Sequence, residues 1–284
     1  MDLVTDMFNA VTGHSTLAKL TDRKPIPFSG VTEFIFTAED EASLVLEGGA
    51  KPAGNASVDP VIIKPLKFIY QQRVSDEFVK CSDEKRLTYL ETFADGFARK
   101  IARGFDIAAM HGIDPKTKTA VSDIQGNNFD DLVTNIPFDA STDVLSEKIE
   151  LAIAQMPDIA VTGIAFAPSA AANLATEKEN GVTQFPEFRM GQNPDAFYGM
   201  KSDVNSTVIE RATGDTNNTI VYVGDFANAF KWGYVEEIPL EVIRYGDPDG
   251  AGRDLKRYNE VCLRSEAYIG WGILDVAAFR MITI

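Results

Sequence analysis

The chain has 284 residues, enough for one large domain or two small ones, and long enough to bury a core without disulfide or metal staples. Hydrophobic residues make up 45% and charged residues 24%, proportions that argue against long disorder. Lys plus Arg number 27 against 42 Asp plus Glu, a net charge of −15, which argues against a free-standing protein that grips nucleic acid through a general positive surplus.

The opening MDLVTDMFNAV carries acids and no basic region, so no signal peptide is expected. No stretch reaches the ~18 apolar residues of a transmembrane helix. Cys81 and Cys262 lie far apart and outside any metal-spaced cluster, and are read as reduced thiols in a reducing cytosol. Residues 1–30 form a mixed arm. A short helical start (Leu3, Met7, Phe8, Val11) runs through the polar turn at His14 into a stretch that Pro25 and Pro27 hold extended. Leu17, Leu20, Ile26 and Phe28 have no partner inside that segment, and either the chain's own body or a neighbouring copy could cover them.

VTEFIFTA (31–38) and ASLVLEG (42–48) read as strands, with a return run at 58–75. The Gly-, Pro- and Asn-rich stretch 47–57 between them has turn chemistry, so a long hairpin with a flexible tip is expected. In 83–111, Leu87, Leu90, Phe93, Phe97, Ile101, Phe105 and Ala108 recur at helical spacing. Ser82 is the expected N-cap, and Gly112 the stop. Such a helix would run about 44 Å. Gly96 and Gly104 suggest close backbone approach, His111 an interaction with the helix's last carbonyls, and Lys85, Arg86, Arg99, Lys100 and Arg103 a solvated face.

A polar turn region (114–128) leads to an α/β segment. Ser141 or Asp143 is the expected cap of a helix carrying Leu145, Ile149, Ala152, Ile153 and Met156, and Pro157 ends it. IAVTGIAFAP (159–168) reads as a buried strand, with Pro168 opening a short helix. The polar stretch 179–200 is long for a loop in a compact domain and is expected to be mobile or used in contacts. Strands are expected at 207–210, 219–223, 238–245 and within 255–274, the last two flanking a loop, GDPDGAGRD (246–254). An apolar end strand covers 277–284. The acidic tracts Glu39-Asp40-Glu41 and Asp130-Asp131 read as solvated faces and turns. Nucleotide-loop, zincin, nucleophile-elbow and EF-hand patterns are absent, so no catalytic, cofactor-binding or metal-binding residue is expected. Two projecting hairpins, an overlong helix and an extended arm are costly in a lone soluble molecule, which favours obligate self-assembly.

The order of these segments resembles the major capsid proteins of tailed phages, the α+β Hong Kong 97 fold, over residues 27–279. The run VTEFIFTAEDEASLVLEGGAKPAGNASVDPVIIKPLKFIYQQRVSDEFVK looks like that family's E-loop and its exit into the spine helix. LETFADGFARKIARGFDIAAMHG looks like the spine helix itself. GIAFAPSAAANLATEKENG and FYGMKSDVN look like the A-domain pattern, and VYVGDFANAF through ILDVAAF like the C-terminal half with its P-loop.

The resemblance implies an N-arm (1–30), an E-loop hairpin (31–75) and a first P-domain part (76–124) with the spine helix at 83–111. It further implies an A-domain (125–234), a second P-domain part (235–272) with the P-loop at 246–254, and an A-domain end strand (273–284). Subunits would form pentamers and hexamers of an icosahedral shell around double-stranded DNA, assembled in the host cytoplasm without membrane or cofactor. Contacts are expected from the E-loop tip (Glu47, Gly48, Gly49, Lys51, Pro52) and the P-loop (Asp247, Asp249, Arg253). Because the chain starts almost at the arm, a scaffolding protein would be separate or already removed; portal, protease and decoration partners stay open. One family member links an E-loop lysine to a P-domain asparagine with help from a glutamate. Lys51 matches the lysine, whereas the other two positions hold Tyr258 and Ser265, with Asn259 and Glu266 one residue on and so on the opposite strand face. A nanocompartment shell of the encapsulin type and a soluble acidic enzyme are the alternative readings.

Overall fold

The computed structural model describes residues 14–38, 44–45, 47, 49–51, 53, 56–79, 83–216, 218–235 and 240–284. The chain enters through a one-turn helix, α1 (Thr16–Leu20), and a two-residue strand, β1 (Lys24–Pro25). Strands β2 (Val31–Ala38) and β3 (Ala56–Ile63) pair with each other as an antiparallel hairpin. The return run expected at 58–75 is in fact two strands. It breaks at Lys64-Pro65, and β4 (Leu66–Ser75) leaves the hairpin to join a different sheet. A short turn, α2 (Asp76–Val79), then leads into the 29-residue helix α3 (Asp83–His111).

Beyond α3 come α4 (Phe129–Leu132), β5 (Thr134–Pro137), α5 (Leu145–Ala154), β6 (Gly163–Phe166) and α6 (Pro168–Thr176). A small hairpin of β7 (Lys178–Glu179) and β8 (Val182–Thr183) follows, then β9 (Ala196–Phe197), β10 (Met200–Val204) and β11 (Thr219–Gly224). The chain closes with β12 (Phe230–Tyr234), β13 (Leu240–Ile243), β14 (Glu260–Ile273) and β15 (Phe279–Thr283).

Two sheets result. In the first, the 14-residue β14 is the spine: ten residues of β4 pair along one edge, while β13 and β12 share the other and β1 extends it beside β12. The second is mixed and six-stranded, in the order β5-β15-β11-β6-β10-β9. The end strand β15 is tied between β5 and β11, which explains its apolar sequence. All of β6 and β11 is buried. That is the pattern of strands covered on both faces; α5, α6 and α1 pack on this sheet, and Phe129 of α4 meets Tyr222 and Phe279.

One hydrophobic core runs through both sheets, and α3 carries it. From Phe93 onward its apolar stripe is buried, and Phe105 lies 5.1 Å from Trp232 and 5.7 Å from Trp271. The Leu87 and Leu90 side chains and the expected cap Ser82 lie outside the described residues, as does Cys81. Gly104 is in contact with Phe68 and Pro115, each 3.5 Å from where a Cβ would sit, but Gly96 faces open space, so the close approach expected there is absent. Gly112 stops the helix at φ 64°, and a side chain there would strike Asn128.

Other expectations change. His111 does not serve its own helix's carbonyls. It is buried, with Nδ1 2.7 Å from Asp130 and Nε2 2.8 Å from the Thr207 carbonyl, so it joins α3 to two later segments. Neither Ser141 nor Asp143 caps α5; Glu177, at the end of α6, accepts from the Leu145 and Ser146 amides instead. The 179–200 stretch is no free loop. Phe185, Phe188 and Phe197 are buried around Phe166, with Phe188 and Phe197 at ring distances of 5.2 and 5.7 Å from it. The strand expected at 207–210 is a turn of 3-10 helix (Ser206–Ile209), because the Asn205 side chain accepts from the Thr207 amide and ends β10 there. Leu17, Leu20 and Ile26 are buried in the chain's own core, while Phe28 stays 68% exposed beside Tyr268.

Candidate assembly surfaces

The β2–β3 hairpin has two unlike faces. Its register pairs Thr32 with Ile62 and Phe34 with Pro60. All four side chains, with Val58, are exposed, and the fractions for Phe34, Val58 and Ile62 are 71%, 56% and 57%. The opposite face holds Val31, Glu33, Ile35, Val61 and Ile63, half-buried or buried. Glu33 pairs with Lys231 at 2.8 Å, and Ile63 packs against Gly270 and Gly272 of β14. Strand alternation therefore uses one face to fix the hairpin to its own chain and leaves a row of apolar side chains in water. Scattered apolar residues are ordinary, but a contiguous row marks a surface kept for a partner. Nearer the tip, Leu44, Glu47, Gly49 and Lys51 are exposed; Gly48 and Pro52 lie outside the described residues.

The loop 246–254 between β13 and β14 is built on the opposite plan. Arg73, reaching from β4, occupies its centre. Its Nε donates to both oxygens of Asp249 at 2.8 Å, and Nη1 to the Arg253 carbonyl and Glu260 at 3.1 Å each. Nη2 bonds Asp247 and Asp249. Every guanidinium N–H has an acceptor. The same carboxylates shape the loop: Asp247 accepts from the Ala251 and Gly252 amides at 2.9 and 2.7 Å, and Asp254 from Gly246 at 2.9 Å. The hydrogen bonds from Arg73 hold the Asp249 carboxyl well below the usual carboxylate range. Arg253 pairs with Glu260 at 2.7 Å and lies over the Tyr258 ring. Asp247, Asp249 and Arg253, expected to reach a neighbour, are thus engaged within the chain. Tyr245, Lys256, Arg257 and Tyr258, beside the loop, are exposed as well. No sequence signal marked Arg73, because its loop partners lie 174 to 180 residues away.

Among the described residues, no group of three or more His, Cys, Asp or Glu could hold a metal ion. No helix among them is long and apolar enough to cross a membrane.

No family model matches the chain, and no curated protein does. Solved structures do. One of Mycobacterium phage Ogopogo is 31% identical, covering 95% of this chain and 92% of that one, with a TM-score of 0.80. The chain belongs to the tailed-phage major capsid protein family. A structure of Gordonia phage Cozz (22% identical, covering 96% and 85%, TM-score 0.70) shares the fold. So does the capsid of a native GTA particle (15% identical, covering 95% and 89%, TM-score 0.63). The α+β architecture is that of the Hong Kong 97 fold, and the protein is a major capsid protein that self-assembles into a virion shell. The nanocompartment and enzyme readings are not favoured, since these neighbours are capsid structures.

In this capsid protein the residues named for a cross-link are dispersed. Lys51 is exposed near the hairpin tip. Asn259 turns the chain in the left-handed region at φ 53°, its carbonyl accepting from the Asp76 amide at 2.7 Å. Glu266, in the middle of β14, pairs with Lys67 at 2.7 Å. Six strand residues lie between Asn259 and Glu266, a separation of roughly 20 Å along the chain.

Proposed function

We propose that this major capsid protein forms pentamers and hexamers of an icosahedral head around double-stranded DNA, and that the hairpin of residues 31–63 laps over the neighbouring subunit. The uncovered apolar row Phe34, Val58, Pro60 and Ile62 carries this reading: it is unfavourable in an isolated chain and becomes favourable once a neighbour removes it from water. The loop 246–254 makes the second contact, through Tyr245, Tyr258, Lys256 and Arg257, on a base made rigid by Arg73; tyrosine and arginine are the side chains that most often anchor interfaces. The tip residues Glu47, Gly48, Gly49, Lys51 and Pro52 complete the hairpin contact.

In domain terms, 1–30 is the N-arm, 76–124 and 235–272 the P-domain, and 125–234 with 273–284 the A-domain. The E-loop is best drawn at 31–63, because β4 pairs along β14. The role is structural rather than catalytic. Assembly takes place in the host cytoplasm with a separate scaffolding protein, and the net charge of −15 suits a lining along which packaged DNA slides without tight phosphate contacts.

Electron microscopy of the purified protein, alone and with its scaffold, tests the reading. Closed shells with five- and six-fold capsomers are expected. Monomers under every condition, or a strongly basic inner surface in the assembled shell, would overturn the corresponding part.

A further inference from the structure

The segment 15–26 crosses from one sheet to the other. At its root, Thr16 bridges two carboxylates: its amide donates to Asp106 Oδ2 at 2.8 Å and its hydroxyl to Asp203 Oδ2 at 2.7 Å. Ser15 Oγ donates to Asp106 Oδ1 at 2.6 Å, the Leu17 amide to the same oxygen at 3.2 Å, and Thr207 Oγ1 to Oδ2 at 3.3 Å. Asp106, on α3, is 0% exposed, and Asp203, on β10, is also buried. Further on, Thr21 Oγ1 donates to the Phe226 carbonyl at 2.6 Å, and Trp232 Nε1 donates to the Thr21 carbonyl at 3.0 Å. β1 then runs parallel to β12, so close that a side chain at Gly233 would collide with the Lys24 carbonyl and Ile26.

Charge at the root does not balance. Lys19 is the single cation in contact with the pair among the described residues, with Nζ 3.2 Å from Asp203 and 2.9 Å from the exposed Asp195. The other charged groups nearby are engaged elsewhere. Arg103, one turn earlier on α3, bonds Ser206 and Glu210; Lys118 also takes Glu210, at 2.8 Å. His111 bonds Asp130 and the Thr207 carbonyl, and Lys201 lies 3.7 Å from Asp22. Asn193, which donates to Asp203 at 2.9 Å, is neutral. Two buried carboxylates share one lysine, so the cluster is a proton short of neutrality.

We propose that residues 15–26 form a strap tying the two sheets together, and that its docking takes up a proton at the Asp106–Asp203 pair, so that the strap grips more tightly in acid. Exclusion of water, with the Asp203 charge adding to it, pushes the Asp106 carboxyl up to about 7 in spite of the hydrogen bonds it accepts. With the strap lifted, water reaches Asp106 and its carboxyl returns to the ordinary range near 4. The docked state therefore binds the proton more tightly, and linkage favours docking as pH falls from about 7 towards about 4, with no further dependence above that window. The effect belongs to the chain itself and is read on unassembled protein, so it stands apart from the shell reading.

Hydrogen–deuterium exchange of the full chain tests it, with amides of 16–26 referenced to the buried amides of β11. The opening constant of the strap is expected to fall about tenfold per pH unit between about 7 and about 5. Asp106→Asn is expected to remove that slope, whereas Thr21→Val loosens the strap at every pH and leaves the slope intact. A constant that is flat or rises on acidification, or a slope that survives in Asp106→Asn, would overturn the proposal. If Asp106→Asn does not fold, carbon-13 titration of the Asp106 carboxyl in the unsubstituted chain decides: a midpoint near about 7 supports the strap, and one near about 4 overturns it.

Discussion

The two long hairpins of this capsid protein, β2–β3 and β13–β14, resolve the problem of a projecting element in opposite ways. β2–β3 turns its apolar face outward and is fixed to the body along the other face, through Glu33, Val61 and Ile63. The β13–β14 loop turns its charges inward onto Arg73 and shows aromatic and cationic side chains at its rim. On the proposed reading the first surface is completed by a second chain, whereas the second is held together within one chain. A shell subunit can use both, since one contact gains most from burial on assembly and the other loses least in ordering.

The largest effect is expected from Phe34→Asp combined with Ile62→Asp. Shells should be lost on electron microscopy, while the monomer keeps its folding free energy within about 0.5 kcal/mol, because both side chains are solvent-exposed already. Destabilisation of the monomer by several kcal/mol would show the hairpin face to be part of the fold. Next comes Arg73→Gln, which leaves Asp247, Asp249 and Glu260 facing each other without the cation. Hydrogen exchange in 246–254 should rise roughly tenfold or more, with the six-stranded sheet unaffected.

Acid separates the loop from the strap. Asp249 is held below its unfolded range, so the stabilisation it brings is present above about pH 4 and is lost as pH falls below that. The opening constant of the loop is expected to stay flat from about pH 8 to about pH 4 while the strap tightens over the upper part of that interval. Smallest is the effect of Lys51→Arg on mature shells. Shells boiled in SDS are expected to run as single chains with either residue, since Asn259 and Glu266 sit one position off the family's pattern; a ladder of multimers from the unsubstituted protein alone would reveal a Lys51 cross-link.

Much of this was legible in residue order. The stripe on 83–111, the stop at Gly112, Pro168 opening a helix, and the strands expected at 159–168 and 219–223, observed at 163–166 and 219–224, follow from local periodicity and backbone chemistry, which act over a few residues. The capsid fold was legible too, through the co-linear order of weak segments. What sequence reading missed was long-range. Arg73 at the centre of the 246–254 loop, Glu177 capping α5, His111 joined to Asp130 and Thr207, and Asp106 holding the strap all pair residues between 19 and 180 positions apart. A carboxylate or guanidinium in isolation reads as a solvated charge, and only the packing around it decides whether water is excluded and which partner replaces it. For the same reason the bonds from Arg73 to Asp247 and Asp249 were not foreseen. The sequence by itself determined most of the helices and strands and the family they make up, because those properties are written at short spacing. The tertiary structure alone decided which charges are buried, which apolar face is left open, and that residues 15–26 bind the two sheets together.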